Sequence, residues 1–238
     1  AYAQPLVFSH ASGLNTKGWA YAFSVGNRWG ESGFIDGTFY DAQSLLLSIE
    51  KVMDKQSLNL TVIAAPNRRG KSSPNTQEVY DLMGIKYNEY WGKQDGEQRN
   101  SRVRRLVEPI IMLNHEFQLS SKTTLNTNLA YQFGELGNSR LDYPGGANPS
   151  PTYYQNLPSY HLAANDGPDY SSAYLAQENL LINGQVDWNR IYDANLTSAS
   201  SGFSAAYVLY EDRADDKQFT ANVSLKTFLT DEVSIVLN

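Results

Sequence analysis

Apolar and polar residues alternate along much of this chain with a period of two. From Lys17 to Trp29 one side reads Trp19, Tyr21, Phe23, Val25; the other reads Ala20, Ala22, Ser24, Gly26, Arg28. Leu58, Leu60, Val62 and Ala64 alternate with Ser57, Asn59, Thr61 and Ile63. From Val107 to Leu119, residues such as Ile111, Leu113 and Phe117 oppose Met112, Asn114 and Glu116. The cleanest stretch sets Leu125, Thr127, Leu129, Tyr131 and Phe133 against Thr124, Asn126, Asn128, Ala130, Gln132 and Gly134. Phe219, Ala221, Val223 and Leu225 oppose Gln218, Thr220, Asn222 and Ser224, and Val233, Ile235 and Leu237 begin one more segment. A period of two is the signature of a β-strand, because successive side chains point to opposite faces. With weaker patterns at 5–10 and 42–53, the chain predicts about eight strands and an all-β fold.

Several of these strands run well beyond the roughly 5–6 residues usual in globular sheets. Asn, Gln, Ser, Thr and Glu recur along one side. A membrane strand needs about 9–11 residues and turns its apolar side to lipid, its polar side to a lumen. A soluble sandwich with one buried face gives the same alternation and stays open as an alternative. Trp19, Tyr21, Phe117, Tyr131, Phe133 and Phe219 are expected near strand ends, where aromatic girdles sit. Short connections near Ser12–Lys17, Asp54–Gln56, Ser120–Lys122 and Thr230–Glu232 alternate with long ones near 30–41, 67–105 and 135–216. Short turns at one end and long loops at the other favour an antiparallel up-and-down transmembrane β-barrel segment. On that reading Leu58, Leu60, Val62, Leu125, Leu129, Phe133, Val223 and Leu225 meet lipid.

The long loops carry helix signals. Asn75-x-x-Glu78 is a capping-box pattern and Gly84 can close the turn, which predicts a helix over 76–83. Ser171 or Ser172 can open a second helix that ends at Asn183-Gly184, and 185–196 predicts a third. Proline and glycine at 144–151 and 158–168 mark irregular chain.

Composition changes the picture little. The 238 residues carry 19 basic and 25 acidic side chains, a net charge of −6, which disfavours a general nucleic-acid binder. Without cysteine there is no disulfide scaffold, thiol catalysis or cysteine-ligated metal. The mean hydropathy is negative, and the longest apolar run, Val62 to Pro66, is far short of the ~20 residues of a spanning helix. Ala1-Tyr2-Ala3-Gln4 resembles a signal cleavage site, but no apolar stretch precedes it; the chain is expected to begin mid-structure.

Candidate chemistry is sparse. Ala65-Pro66-Asn67-Arg68-Arg69-Gly70-Lys71-Ser72 fits a relaxed phosphate loop, yet the preceding strand is half polar and Pro74 interrupts the helix entry. A solvated basic loop is the better reading. His10, His115 and His161 lack metal spacing, and no nucleophile elbow occurs. The carboxylates single out no glycosidase pair. Asp166-Gly167-Pro168-Asp169 lacks the pattern of a calcium loop. Arg99, Arg102, Arg104 and Arg105 read as a solvated rim that faces lipid headgroups or barrel-wall carboxylates. No enzyme, metal or cofactor is expected.

Loop aromatics are the better candidates. Trp29, Phe34 and Tyr40 flank the first long connection; Tyr80, Tyr87, Tyr90 and Trp91 fall in the second; Tyr153, Tyr154, Tyr160, Tyr170, Tyr174 and Trp188 fall in the third, with Tyr143 and Tyr192. Rings with polar tips bind sugars, peptides and proteins at low entropic cost. Large loops also need small cores of their own. Some of the set is expected to touch a ligand, while any single ring is better read as packing its loop.

Gly18-Trp19-Ala20 through Arg28-Trp29-Gly30, then Gly33-Phe34-Ile35-Asp36-Gly37-Thr38-Phe39-Tyr40-Asp41, resemble the barrel of TonB-dependent outer-membrane receptors of Bacteroidota, of SusC-like or carboxypeptidase-regulatory-like type. Ser57-Leu58-Asn59-Leu60-Thr61 with Ala65-Pro66, and Gln77-Glu78-Val79-Tyr80, are similar to the same family. So are Tyr87-Asn88-x-Tyr90-Trp91-Gly92, Arg99-Asn100-Ser101-Arg102, and Tyr153-Tyr154 with Leu157-Pro158-Ser159-Tyr160. The resemblance implies a 22-stranded barrel plugged by an N-terminal domain, in the outer membrane of a Gram-negative bacterium. It implies energised uptake of a glycan, peptide or chelate, driven by TonB pulling on the plug. Implied partners are outer-membrane lipid, the rest of the barrel and plug, TonB, and a SusD-like surface lipoprotein or other outer-membrane subunits.

The chain departs from that pattern in extent. No plug region or TonB box is visible, and open sheet edges do not persist in lipid. It is therefore expected to be the central portion of a longer polypeptide. Two other readings stay open: a receptor-like barrel serving as a structural subunit of a secretion or assembly complex, and a small self-contained adhesin barrel.

Overall fold

The computed structural model describes residues 4–230 and 233–238. Ala1-Tyr2-Ala3 of the cleavage-like opening and Asp231-Glu232 of the last predicted turn lie outside them. The strands are β1 (Gln4–Ala11), β2 (Trp19–Gly30), β3 (Tyr40–Val52), β4 (Gln56–Ala64), β5 (Asn67–Gly70), β6 (Trp91–Gln94), β7 (Glu97–Asn100), β8 (Val103–Val107), β9 (Ile110–Ser120), β10 (Thr123–Asp142), β11 (Val208–Phe228) and β12 (Ser234–Leu237). One antiparallel sheet runs in the order β1-β2-β3-β4-β9-β10-β11-β12, with β5 and β8 extending β4 and β9. Neighbours in sequence are neighbours in the sheet, so the topology is up-and-down.

Proline explains the two interruptions. Ala65-Pro66 separates β4 from β5, and Glu108-Pro109 separates β8 from β9. Proline has no N–H for the ladder. The register passes through unchanged: Ala64 faces Leu45 and Asn67 faces Ala42. Every side chain therefore keeps its face across the break. Gly134 of β10 lies beside the second interruption, where a β-carbon would run into the Val107 carbonyl oxygen.

The register sorts the alternation into two faces. Phe23, Leu47, Val62, Ile111, Tyr131 and Phe219 form one unbroken cross-strand row. Ile49, Leu60, Leu113 and Leu129 form the row beside it. Leu58, Leu60, Val62, Leu125, Leu129, Phe133, Val223 and Leu225 all share this apolar face. The opposite face carries Glu50, Asn59, Asn114, Asn128 and Asn222 in one row. Hydrogen bonds tie it together: Asn59 Nδ2 donates to Ser48 Oγ at 3.0 Å, and the Ser48 and Thr61 hydroxyls lie 3.2 Å apart.

The aromatic positions need a correction. Tyr131, Phe133 and Phe219 sit mid-strand, because β10 and β11 pair as far as Asp142 opposite Val208. They mark the end of the apolar band instead, since the wall continues beyond it as Glu135 to Asp142. The chain between these strands leaves the sheet only over 143–207, and that between β5 and β8 only over 71–102.

Those loops hold four helices: α1 (Gln77–Met83), α2 (Pro158–Leu162), α3 (Tyr170–Asn183) and α4 (Trp188–Ser200). Thr76, not Asn75, caps α1, accepting from the Val79 N–H. Asn75 is engaged elsewhere, its Nδ2 donating to the Tyr87 carbonyl at 3.3 Å. Asp169 caps α3 ahead of the expected serines, accepting from the Ser172 N–H at 3.0 Å. Asp187 caps α4 through the Arg190 N–H at 2.9 Å, so that helix begins after Gln185 and Val186. Strands β6 and β7 form a separate hairpin, turning at Asp95-Gly96 with φ of +52° and +87°. Both positive φ values fit the turn that Asp-Gly favours.

The buried core lies entirely in these loops. Val79, Tyr87, Leu157 and Leu180 form one cluster; Val186, Trp188, Ile191, Ala206 and Tyr207 form another. Among the described residues no apolar side chain of the large sheet is buried. The sheet thus presents two uncovered faces, one apolar and one polar, beneath a packed cap. No helix of the described residues is long and apolar enough to cross a membrane.

Candidate ligand-binding cap

Two asparagines hold the cap on the wall. Asn88 is 0% exposed. Its Nδ2 donates to the carbonyls of Asp36 (2.8 Å) and Lys71 (3.1 Å), and its Oδ1 accepts from the N–H groups of Ser73 (3.0 Å) and Tyr90 (3.1 Å). Asn100 Nδ2 donates to the Gly37 and Lys71 carbonyls, both at 3.0 Å. A buried amide with both ends satisfied fixes backbone on either side of it. The 31–39 loop and the 71–102 loop are thereby locked to each other.

The structure divides the candidate aromatics. Tyr87 and Trp188 are buried, at 4% and 1% exposure. The Tyr87 hydroxyl donates to the Gly184 carbonyl at 2.6 Å, and burial pushes its pKa up, with Glu89 adding to the shift. Trp188 Nε1 donates to the Arg99 carbonyl at 3.2 Å, and the Arg99 guanidinium lies 4.1 Å from the ring centre. Both rings are cap core. Trp29 lies on the apolar face opposite Asp41, away from the cap interior. Tyr80 is half-buried on α1, and Trp91 packs over Gly37 with its Nε1 buried and unpaired.

Other rings remain open. Tyr153, Tyr154 and Tyr160 form a run, with centroids 4.7 Å and 5.5 Å apart, that continues to His161 at 5.4 Å. Tyr154 and Tyr160 are exposed, so this run offers an aromatic edge to solvent. Tyr170 and Tyr174 stand one turn apart on α3, both exposed. Phe34 is exposed in the first loop, 5.5 Å from the Lys86 ammonium. Tyr90 lines a 210 Å³ cavity with Glu89, Arg102, Tyr143 and Asn148. Burial raises the Tyr90 pKa, while Arg102, 5.1 Å over the ring, opposes the shift. Tyr40 lies on the polar sheet face, in a 210 Å³ cleft with Arg28, Ser44 and Asn67.

Several cap residues carry no periodic signal in the sequence. A cleft of 260 Å³ is lined by Asn148, Asn156, Asn179, Asn183, Gln185, Asp187 and Arg190. The Gln185 Oε1 that borders it is buried without a partner. Side chains from far-apart segments build this cleft, so only the fold shows it. The Arg99 guanidinium donates to the Tyr192 hydroxyl at 2.8 Å and lowers its pKa through that bond and its charge. Glu89 accepts from the hydroxyls of Ser150 and Thr152, and Glu78 accepts from the Ser159 hydroxyl at 2.6 Å.

The other sequence candidates resolve simply. The phosphate-loop-like run is the proline break at Ala65-Pro66, all of β5, paired on both sides, and the first two residues of the following loop, with no helix entry. Asp169 of the calcium-like run serves as a helix cap. Of the basic rim, Arg105 meets a wall carboxylate, Glu135, at 2.7 Å.

No protein-family model and no curated protein matches the sequence. Among solved structures, the chain is similar to the ferric-catecholate import receptor Fiu from E. coli K12 in its closed form, at 11% identity and a TM-score of 0.49. The match covers 97% of this chain and 29% of that one, so the chain spans less than a third of that receptor's length.

Proposed function

We propose that this chain forms part of the wall and the outer loops of a TonB-dependent outer-membrane transporter that imports a nutrient ligand. One observation carries the reading. The large sheet buries neither face, yet one face is a continuous apolar band and the other a hydrogen-bonded polar surface. A water-soluble sheet would pack its apolar face against a second layer. A barrel wall leaves that face to lipid and the polar one to the lumen. The apolar stretch of β10, Thr123 to Phe133, at a rise of about 3.4 Å per residue and a tilt near 40°, spans about 25 Å, the height of an outer-membrane apolar band. Loop lengths add support: the long, structured connections all fall at one end of the sheet.

In this role the exposed rings of the cap, Tyr154, Tyr160, Tyr170, Tyr174 and Phe34, with the half-buried Tyr153 beside them, receive ligand or partner, and the buried ones give the cap its shape. The resemblance of the Gly33–Asp41 and Tyr87–Arg102 stretches supports the finer assignment to SusC-like receptors of Bacteroidota, which pair with a SusD-like lipoprotein. The test is nutrient uptake by cells that lack the gene for the full polypeptide, with and without a protonophore. Uptake that requires both the gene and the proton gradient is expected. Unchanged uptake with defective surface-protein assembly would refute transport and leave a structural subunit.

A further inference from the structure

The run Asn67-Arg68-Arg69-Gly70 of β5 pairs with Val103-Arg104-Arg105-Leu106, so that Arg68 faces Arg105 and Arg69 faces Arg104. Like charges directly opposite on antiparallel strands repel, with β-carbons about 5 Å apart. The two pairs lie on opposite faces, and the sheet treats them differently. On the apolar face Arg105 meets Glu135 at 2.7 Å, and Glu135 also holds Arg213 at 2.8 Å. On the polar face Arg69 and Arg104 have no ion pair or side-chain hydrogen bond among the described residues. Lys71 follows them, its backbone N–H anchored to the Arg102 carbonyl at 2.8 Å. Lys71, Arg102 and Arg104 are half-buried. The Lys71 pKa is lowered, first by burial and then by Arg104, Arg102 and Arg69, so these charges act on one another. The nearest wall carboxylate in the same cross-strand row, Asp212, is engaged by Arg140 at 3.6 Å. Tyr40 faces Arg69 across the strand pair, and its cleft with Arg28 and Asn67 opens on this face.

We infer that Arg69, Arg104 and Lys71, beside the Tyr40 cleft, bind an oxyanion, a carboxylate or phosphate group of the transported ligand. Concentrated positive charge without a carboxylate, with Lys71 and Arg104 partly withdrawn from water and Arg69 exposed beside them, is compensated when an anion enters. Guanidinium forks match such oxygens with paired hydrogen bonds. The inference rests on the transporter reading and narrows its ligand to an anionic one.

The test is calorimetric titration of inorganic phosphate into the full-length receptor in lipid nanodiscs at low salt, with melting temperatures measured alongside. Wild type is expected to bind, and Arg69→Gln/Arg104→Gln to bind at least about tenfold more weakly, as loss of charge-assisted bonds implies. The double substitution relieves a repulsion, so the fold should hold. Arg68→Gln, on the other face, should leave binding within about twofold. Equal binding by the double variant would overturn the proposal. So would absence of binding by wild type; if the double variant then melts at a lower temperature, the anion is a carboxylate of the receptor itself. Phosphate binding is read without TonB or a proton gradient, so its failure and a failure of transport are separate results.

Discussion

Replacing Leu129 with arginine sets a charge on the apolar face at a calculable depth. Leu129 lies six residues along β10 from Thr123, flanked by Leu113 and Ala221 in its row. At about 3.4 Å per residue and a tilt near 40°, that is about 16 Å from the short-turn edge of a ~25 Å band. The position is within a few ångström of the midplane, where arginine on a barrel's lipid face costs about 2–4 kcal/mol. That is a factor of about 30 to 900 in the folding equilibrium. Asn128 is its neighbour on the polar face, opposite Asn222 and Asn114. Arginine there should cost within about 0.5 kcal/mol, the usual range for a surface change. Equilibrium folding of the full-length barrel into phospholipid vesicles, followed by tryptophan fluorescence against denaturant, measures both. A neutral Leu129→Arg with a large cost for Asn128→Arg would reverse the faces and refute the membrane reading.

Other expectations concern the cap and the bend. Asn88→Ala strips partners from two carbonyls and two N–H groups in a buried place and should cost about 3 kcal/mol or more, seen as faster hydrogen exchange at 31–39 and 71–102. The raised pKa of Tyr87 means that its stabilisation is intact below the unfolded value of about 10 and is lost as pH climbs above it. Hydrogen exchange around Gly184 should therefore rise above that pH in wild type, with the pH dependence flattened in Tyr87→Phe. Gly134→Ala pushes a methyl group into the Val107 backbone and should cost about 1–3 kcal/mol, read as lost heat-modifiability of the barrel on gels. An unchanged gel shift would show that the strands can part at the proline break.

The local and periodic part of the fold is legible in the residues alone. Strand faces follow from strict alternation, because a side-chain period of two leaves no other arrangement once neighbours pair in register. Leu58, Leu60, Val62, Leu125 and Leu129 were assignable to one face for that reason. Helices α1, α3 and α4 were legible within a few residues, since caps and glycine stops act locally. Tertiary structure decided the rest. Only the ladder shows that β10 and β11 continue past Gly134, where Glu135 to Asp142 has polar residues on both sides and no apolar rhythm. Only packing separates Tyr87 and Trp188, which are cap core, from Tyr154 and Tyr170, which face solvent, because a ring's role depends on what covers it. The arginines make the same point. Four basic residues in two short runs look alike in sequence; the ladder pairs Arg68 with Arg105 and Arg69 with Arg104, and only the first pair shares a face with Glu135, which Arg105 reaches diagonally.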